Sequence, residues 1–248
     1  MNFIIHPDHT KHYEALVGII VSFDKKGETI VAGNRNVIKK FKIGERTYNV
    51  KKFKNPNAFQ SLVYRFFRKS KAKRSFEYAQ LLLAKNINTP APICYVENFK
   101  VGLRASYYIS EQLEYDFDFR ELIHNPKYAK REEILRQFTD FSFKMHNAGV
   151  NFLDHSPGNT LIKDAGNGMY AFYLIDLNRM RFESMDFDMR MKNLRRLWLS
   201  KRMIQIMSKE YARLYEKTYE ETHALMTLHS RAFQKKVNSK KIRRRRSS

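Results

Sequence analysis

The segment NFLDHSPGNTLIK at residues 151–163, followed by YLIDLNR at residues 173–179, is the most informative part of the chain. Asp154 precedes a turn made of Ser, Pro and Gly, and Asn159 closes that turn. An apolar strand follows, and the Asn-Gly dipeptide at 167–168 predicts a tight hairpin turn. A second apolar strand then leads back to Asp176. We therefore expect one hairpin to bring three oxygen-bearing side chains to the same edge.

Such a set of side chains is what phosphoryl transfer from a nucleotide requires. A carboxylate orients and deprotonates the attacking hydroxyl, while side-chain oxygens hold Mg²⁺ against the phosphates. The spacing of Asp154 and Asn159 is that of D-x-x-x-x-N in kinase catalytic loops, and Asp176 falls at the position of the D-F-G aspartate. An ordinary turn has the same composition, but the apolar strand that ends at Asp176 favours a catalytic site.

These two motifs resemble those of the lipopolysaccharide core kinases, the Kdo and heptose kinases, which are small bacterial relatives of protein kinases. The resemblance extends from about Gly33 to about Trp198. It implies an α+β, protein-kinase-like two-lobe fold, with ATP and Mg²⁺ as cofactors. Asp154 would be the catalytic residue, and Asn159 and Asp176 would be the metal ligands.

The predicted organisation has three parts. Residues 1–113 form an antiparallel β N-lobe with one helix, and residues 114–234 form a mostly α-helical C-lobe that holds the catalytic hairpin. Residues 235–248 carry a run of Lys and Arg, which is typical of a disordered basic tail.

Within the N-lobe, residues 14–54 are predicted to form antiparallel strands separated by turns. The first turn contains Gly33 and in a kinase would cover the nucleotide phosphates, although it has no G-x-G-x-x-G sequence. On the third strand the resemblance places Lys51 where kinases have the lysine that binds the α- and β-phosphates. Lys52 remains an alternative, because strand alternation puts it on the opposite face.

Three further nucleotide-binding candidates follow along the chain. Glu77 is the acidic residue of a helical stretch that follows six basic residues at 65–74. In kinases a glutamate of this helix pairs with the phosphate-binding lysine, although Glu77 could equally be an ordinary surface residue. Glu111 and Leu113 lie in a predicted hinge, where adenine would hydrogen-bond to the backbone.

The second half of the chain departs from the protein-kinase pattern. An apolar stripe at 134, 138, 141 and 145 predicts a buried helix face, and Gly149 ends that helix. No A-P-E sequence follows Arg181, the histidine of H-R-D is absent, and Leu177-Asn178 stand in place of Phe-Gly. These differences argue against a regulated protein kinase more than they argue against catalysis.

Composition restricts the possible partners. With 47 basic and 25 acidic residues the net charge is +22, which attracts polyanions such as nucleic acid, anionic membranes or phosphorylated glycolipid; a solvated basic surface without a dedicated partner is the alternative. No apolar run reaches the ~20 residues that cross a bilayer, no signal peptide is evident, and Cys94 is the single cysteine. We expect a cytoplasmic protein, peripheral on the inner face of the bacterial inner membrane.

Together these features predict an ATP-dependent kinase that phosphorylates a Kdo or heptose hydroxyl of the lipopolysaccharide core glycolipid. Two alternatives remain open. One is an atypical protein kinase associated with RNA or ribosomes, and the other is a catalytically inactive kinase-fold module that binds nucleic acid. The complete set of Asp154, Asn159 and Asp176 argues against the inactive module.

Overall fold

A computed structural model describes residues 1–246 and the side chains of residues 1–243. The chain divides into two compact units, one from Met1 to Glu114 and one that begins at Tyr115. The first consists mainly of an antiparallel sheet and the second mainly of helices, as predicted.

The N-terminal unit is built on a six-stranded antiparallel sheet with the strand order β1-β5-β6-β4-β3-β2. Its elements are β1 (Asn2–Ile5), α1 (Tyr13–Ser22), β2 (Glu28–Ala32), β3 (Asn36–Ile43), β4 (Arg46–Phe53), α2 (Ala58–Phe66), α3 (Lys71–Ala84), β5 (Pro92–Phe99) and β6 (Leu103–Glu111). This unit, which the structure describes throughout, has three helices where the sequence analysis predicted one.

The strand prediction is wrong at the start of residues 14–54, because residues 13–22 form α1. The apolar residues Leu16, Ile19, Ile20 and Phe23 follow a helical spacing, and all four are buried against the sheet. Burial of this stripe decides the helix, although the β-branched residues of the segment have a higher propensity for strands.

The two faces of β4 have different neighbours. Tyr48 and Val50 pack into the core that contains α1. Phe53 packs on the opposite face with Phe76 of α3. Since side chains alternate along a strand, Lys51 lies on the α3 face and Lys52 on the α1 face.

The C-terminal unit contains two small antiparallel sheets, β10-β9-β7 and β11-β8, among helices. Its elements are β7 (Phe117–Asp118), α4 (Arg120–His124), α5 (Arg131–Asn147), β8 (Val150–Phe152), β9 (Thr160–Gly166), β10 (Met169–Leu174), β11 (Met180–Phe182), α6 (Phe187–Leu194), α7 (Lys201–Tyr215) and α8 (Tyr219–Arg246). Short 3₁₀ turns cover Pro157–Asn159 and Arg195–Leu197.

Two predicted features of this unit are confirmed. The apolar stripe of α5 is buried along its whole length, at 134, 138, 141 and 145. Strands β9 and β10 form the predicted hairpin, and Asn167 and Gly168 at its turn both have a positive φ. Two such residues in succession are what a type I′ turn needs.

The basic stretch at 235–246 is helical, whereas the sequence predicted disorder; residues 247–248 lie outside the described part. No Gly or Pro interrupts residues 219–246, and Lys and Arg are good helix formers. The helix also packs on Trp198, through the ring of Phe233 at 5.9 Å and the ammonium of Lys241 at 5.9 Å. Within residues 1–246, no helix has the length and apolar character needed to cross a bilayer.

Candidate active site

The loop after β8 holds Asp154 and Asn159 in a closed turn. The carbonyl oxygen of Asp154 accepts hydrogen bonds from Asn159 Nδ2 at 2.8 Å and from the Ser156 N–H at 2.6 Å. The Asn159 N–H donates to the Ser156 carbonyl at 2.9 Å. Because the amide nitrogen of Asn159 is engaged inside the loop, its Oδ1 is the atom left to accept a hydrogen bond or coordinate a cation.

Asp176 is held beside Asn159 by the strand register. Thr160 of β9 pairs with Leu174 of β10, and the Ile175 N–H donates to the Asn159 carbonyl at 3.0 Å. Asp176 has a φ of +57°, a left-handed conformation that is found more often at functional sites than elsewhere. Its Oδ1 accepts a hydrogen bond from Asn178 Nδ2 at 2.7 Å. The hairpin therefore brings the three predicted residues to one edge of the C-terminal unit.

The carboxylate of Asp154 has a partner that the sequence analysis missed. Its Oδ1 lies 2.6 Å from a terminal nitrogen of Arg196, in the 3₁₀ turn after α6. The guanidinium of Arg196 lies over the ring of Phe233 in α8, 5.5 Å from the centroid. Both members of the ion pair are more than two-thirds buried, so the pair fixes the direction of the carboxylate. Arg196 is far from Asp154 along the chain, and no local pattern marks it.

A buried network centred on Asn193 of α6 holds the backbone that precedes the loop. Asn193 Nδ2 donates to the Phe152 carbonyl and to Asn151 Oδ1, both at 3.0 Å. Asn193 Oδ1 then accepts from His155 Nδ1 at 2.9 Å and from His146 Nε2 at 3.2 Å. Because Asn193 Oδ1 can only accept hydrogen bonds, both histidines must donate to it. The proton is therefore on Nδ1 of His155 and on Nε2 of His146.

The two histidines of this network are structural. Burial lowers the pKa of His146 to about 3, and the hydrogen bond that His146 donates to Asn193 only partly opposes this effect. Burial likewise lowers the pKa of His155 to about 4. Both imidazoles are therefore neutral near pH 7. The histidine of H-R-D is absent from the sequence, and His155, next to Asp154, is instead the buried imidazole of the loop.

In the N-terminal unit, the environments of Lys51 and Lys52 differ. Lys51 is buried on the α3 face of β4, with its ammonium 5.4 Å from the centroid of the Phe53 ring. Lys52 lies on the other face, where its ammonium pairs with Asp24 Oδ1 at 2.8 Å. The two lysines therefore lie on opposite faces of β4, and Asp24 pairs with Lys52.

Glu77 belongs to α3, which packs on the Lys51 face of β4, and its carboxylate forms an ion pair. Its Oε2 lies 2.8 Å from the ammonium of Lys69. Glu77 also approaches Tyr95, whose pKa is raised to about 12 by burial and by the charges of Glu97 and Glu77. Lys69 is thus one ion-pair partner of Glu77, and the pairing of Glu77 with Lys51 stays a prediction.

The remaining candidates form backbone contacts within the N-terminal unit. The Gly33 N–H donates to the Asn36 carbonyl at 3.1 Å and closes the β2–β3 turn. The Glu111 N–H donates to the Ala91 carbonyl at 2.9 Å, and the Leu113 carbonyl accepts from Gln112 Nε2 at 3.0 Å. These backbone groups of the predicted hinge are therefore already engaged.

The donor set at the hairpin fits a magnesium ion. No group of three or more His, Cys, Asp or Glu side chains among the described residues is arranged to hold a metal. Mg²⁺ needs fewer protein ligands, because one or two carboxylates suffice when nucleotide phosphates and water complete its shell. The Asp176 carboxylate and Asn159 Oδ1 supply two such oxygens.

Comparisons with known proteins identify the family and the fold. Residues 27–219 match the family model described as "Kdo: Lipopolysaccharide kinase (Kdo/WaaP) family". No curated protein matches the sequence. The chain is similar to a solved structure described as "WaaP in complex with acyl carrier protein", with a TM-score of 0.65 and 16% identity, over 95% of this chain and 99% of that one. At that identity the likeness concerns the fold, and it confirms the predicted kinase-like α+β architecture.

Proposed function

The chain belongs to the lipopolysaccharide kinase (Kdo/WaaP) family, and we propose on that basis that it transfers the γ-phosphate of ATP to a Kdo or heptose hydroxyl of the lipopolysaccharide inner core. The observation that carries the proposal is the placement of Asp154, Asn159 and Asp176 at one edge of the C-terminal unit. These residues provide a base and a cation site, which are the protein groups that phosphoryl transfer requires.

Each residue has a role in this reaction. Asp154 accepts the proton of the attacking hydroxyl, and Arg196 keeps its carboxylate in one orientation. Asn159 and Asp176 would hold Mg²⁺, which when bound supplies positive charge to the nucleotide phosphates. Lys51 contacts the α- and β-phosphates, and Glu77 supports it from α3. Gly33, Glu111 and Leu113 contribute the backbone that surrounds the nucleotide.

The direct test is γ-phosphate transfer by the purified chain from labelled ATP with Mg²⁺. Separate reactions offer Kdo-lipid A, a heptose-extended core, a protein acceptor and RNA-bound particles. We expect label only on the glycolipids, and the better of the two glycolipids identifies the accepting sugar. Transfer to protein or to RNA-bound particles alone would refute the glycolipid assignment, and binding to nucleic acid without transfer to any acceptor would favour the inactive module.

We also propose that the protein sits on an anionic membrane surface, and α2 supports this. Its outward side carries large apolar residues such as Phe59, which is 77% exposed, and Phe67, which directly follows the helix, is 87% exposed. Ser61 and Arg65 tie the other side to the β5–β6 turn, through the carbonyls of Leu103 and Lys100, both at 2.7 Å. Residues 54–74 include seven basic residues and no acidic one. Apolar side chains rimmed by positive charge are typical of helices that lie in a membrane interface.

The membrane proposal has its own measurement. The double variant Phe59→Ser/Phe67→Ser should bind more weakly to vesicles of anionic phospholipid. Its kcat on a delipidated core sugar should stay unchanged, because α2 lies outside the catalytic hairpin. High salt should weaken the wild type as well, since the Debye length is about 8 Å at physiological ionic strength. Equal vesicle binding by the variant and the wild type would exclude α2 as the contact.

A further inference from the structure

A basic cavity of about 590 Å³ lies in the C-terminal unit. One side is formed by α6 and the 3₁₀ turn that follows it, and the other side by the second half of α8. Lys192, Arg195 and Arg196 line it from the first side, and Lys236 and Lys240 line it from α8. No acidic residue is among its lining residues. A volume of this size accommodates a group as large as a sugar with its substituents.

Most of the positive charge in this cavity is not compensated. Arg196 pairs with Asp154. Among the residues that the structure describes, Lys192, Arg195, Lys236 and Lys240 form no ion pair. Like charges gathered on one concave surface repel each other and raise the local concentration of anions. The cavity is therefore suited to a negatively charged group.

The cavity is adjacent to the proposed catalytic carboxylate. Arg196 lines the cavity and also touches Asp154. The Nε of Arg196 is buried and has no hydrogen-bond partner in the described part of the chain. This N–H group can therefore donate a hydrogen bond to an anion in the cavity. A molecule whose hydroxyl lies at Asp154 thus has the cavity within reach of a neighbouring substituent. A membrane headgroup or a free anion would have no reason to lie beside the reacting hydroxyl.

We propose that this cavity binds an anionic group of the acceptor itself, either the carboxylate of an acidic sugar or a phosphate monoester. It selects acceptors whose reacting hydroxyl lies near such a group, and it makes Lys236 and Lys240 specificity-determining residues. The inference rests on the proposed function for the role of Asp154. The charged contacts with the cavity are formed in the acceptor complex before phosphate is transferred, so they contribute to binding rather than to the chemical step.

The test uses two double variants. The cavity variant combines Lys236→Gln and Lys240→Gln, and the control pair combines Lys201→Gln and Lys209→Gln. The control pair removes the same charge from exposed positions of α7 that do not line the cavity. Kdo-lipid A is offered intact, with its sugar carboxylates reduced, or with its phosphates removed. On the intact acceptor the cavity variant should raise KM about 10-fold or more, as expected for losing hydrogen bonds to a charged group, with kcat within about 2-fold.

The modified acceptors identify the anion. On the acceptor that lacks the recognised group, the cavity variant and the wild type should have equal KM, and the control pair should match the wild type throughout. An unchanged KM on the intact acceptor would overturn the inference, as would an equal loss on all acceptors or a rise in the KM for ATP. A loss of binding to phospholipid vesicles as large as the loss of acceptor binding would assign the cavity to membrane headgroups instead.

A binding measurement without ATP separates this inference from the proposed reaction. Micelles of intact Kdo-lipid A should co-sediment with the wild type and the control pair, and more weakly with the cavity variant. If this difference is seen while no acceptor is phosphorylated, the anion site stands and the kinase assignment fails. If the acceptors are phosphorylated but the variant binds micelles as the wild type does, the kinase assignment stands and the anion site fails.

Discussion

The catalytic loop at 154–159 and the β2–β3 turn at 33–36 were both predicted to lie near the nucleotide, but they are stabilised differently. The loop is held from outside by Asn193 of α6 and by Arg196. The turn is closed by a backbone hydrogen bond from the Gly33 N–H to the Asn36 carbonyl, and its Arg35 carbonyl accepts from the Lys54 N–H at 3.0 Å. Every residue of the adjoining β2 is exposed. The loop at 154–159 is thus held by side chains that are distant along the chain, whereas the turn is held by backbone hydrogen bonds within the N-terminal unit.

This difference predicts how the two regions respond to substitution. Changes around the loop should reduce activity and also stability, because the same buried contacts support both. Changes in the turn should be tolerated unless a nucleotide approaches the backbone closely. The experiments that follow measure this contrast.

Asp154→Asn should have the largest effect. It keeps the shape of the side chain but removes the base, so kcat should fall by at least ~10²-fold while the affinity for ATP stays nearly unchanged. Steady-state kinetics and nucleotide titration measure the two quantities. Asp164→Asn, an exposed residue of the same hairpin, should behave as the wild type. Wild-type turnover in Asp154→Asn would show that the loop is only a turn.

Asn193→Leu should destabilise the C-terminal unit. Leucine has a similar volume but leaves the Phe152 carbonyl, Asn151 and both histidines without their partner. Each buried polar group left unpaired costs about 1–3 kcal/mol, so a total loss of at least about 3 kcal/mol is expected. Urea unfolding followed by the fluorescence of Trp198, the chain's single tryptophan, reports on this unit. Asn238→Leu, at an exposed position of α8, is the matched control.

Lys51 and Lys52 offer a comparison within the N-terminal unit. Lys51→Met should lower kcat/KM for ATP by roughly 10- to 100-fold, the range expected for losing a hydrogen bond to a charged group. Lys52→Met removes the ion pair with Asp24, and a pair at the surface contributes only about 0–1 kcal/mol to stability. The opposite ranking would mean that the α1 face of β4, and not the α3 face, meets the nucleotide.

The buried histidines predict a pH dependence of stability. Because their pKa values in the fold are about 3 and about 4, the unfolded chain binds more protons as the pH falls below about 6.5. The free energy of unfolding should therefore decrease by about 1.4 kcal/mol per pH unit for each histidine between pH 6.5 and 4. His155→Asn should halve this slope, and His124→Gln, an exposed change, should leave it intact. A flat profile would contradict the buried network.

Gly33→Ala should have the smallest effect. An added Cβ would lie 3.4 Å from the Asn36 carbonyl oxygen, and the backbone there is not in the left-handed region. We expect the KM for ATP to change by no more than about 2-fold, as for an ordinary surface substitution. A much larger rise would show that the nucleotide touches the backbone of this turn, and the contrast with the catalytic loop would then no longer hold.

The features that local patterns predicted well share one property. The β9–β10 hairpin was evident from Asn167-Gly168 between two apolar runs, and the buried face of α5 from its helical spacing. Each signal lies within a few residues of the structure that it predicts. Residues 13–22 were predicted to continue into the strands, whereas they form α1, because a stripe of apolar residues on that segment is buried against the sheet.

By itself the sequence determined the family and the order of its motifs, since the spacing of Asp154, Asn159 and Asp176 is a property of the chain. Tertiary structure decided which residues support them. Arg196 reaches Asp154, and Asn193 reaches the strand before it, only after α6 has packed into the C-terminal unit. It also turned the basic run at 235–246 into part of a helix whose lysines line a cavity. Charge and composition are local quantities, whereas a contact between distant residues exists only once the chain has closed the loops between them.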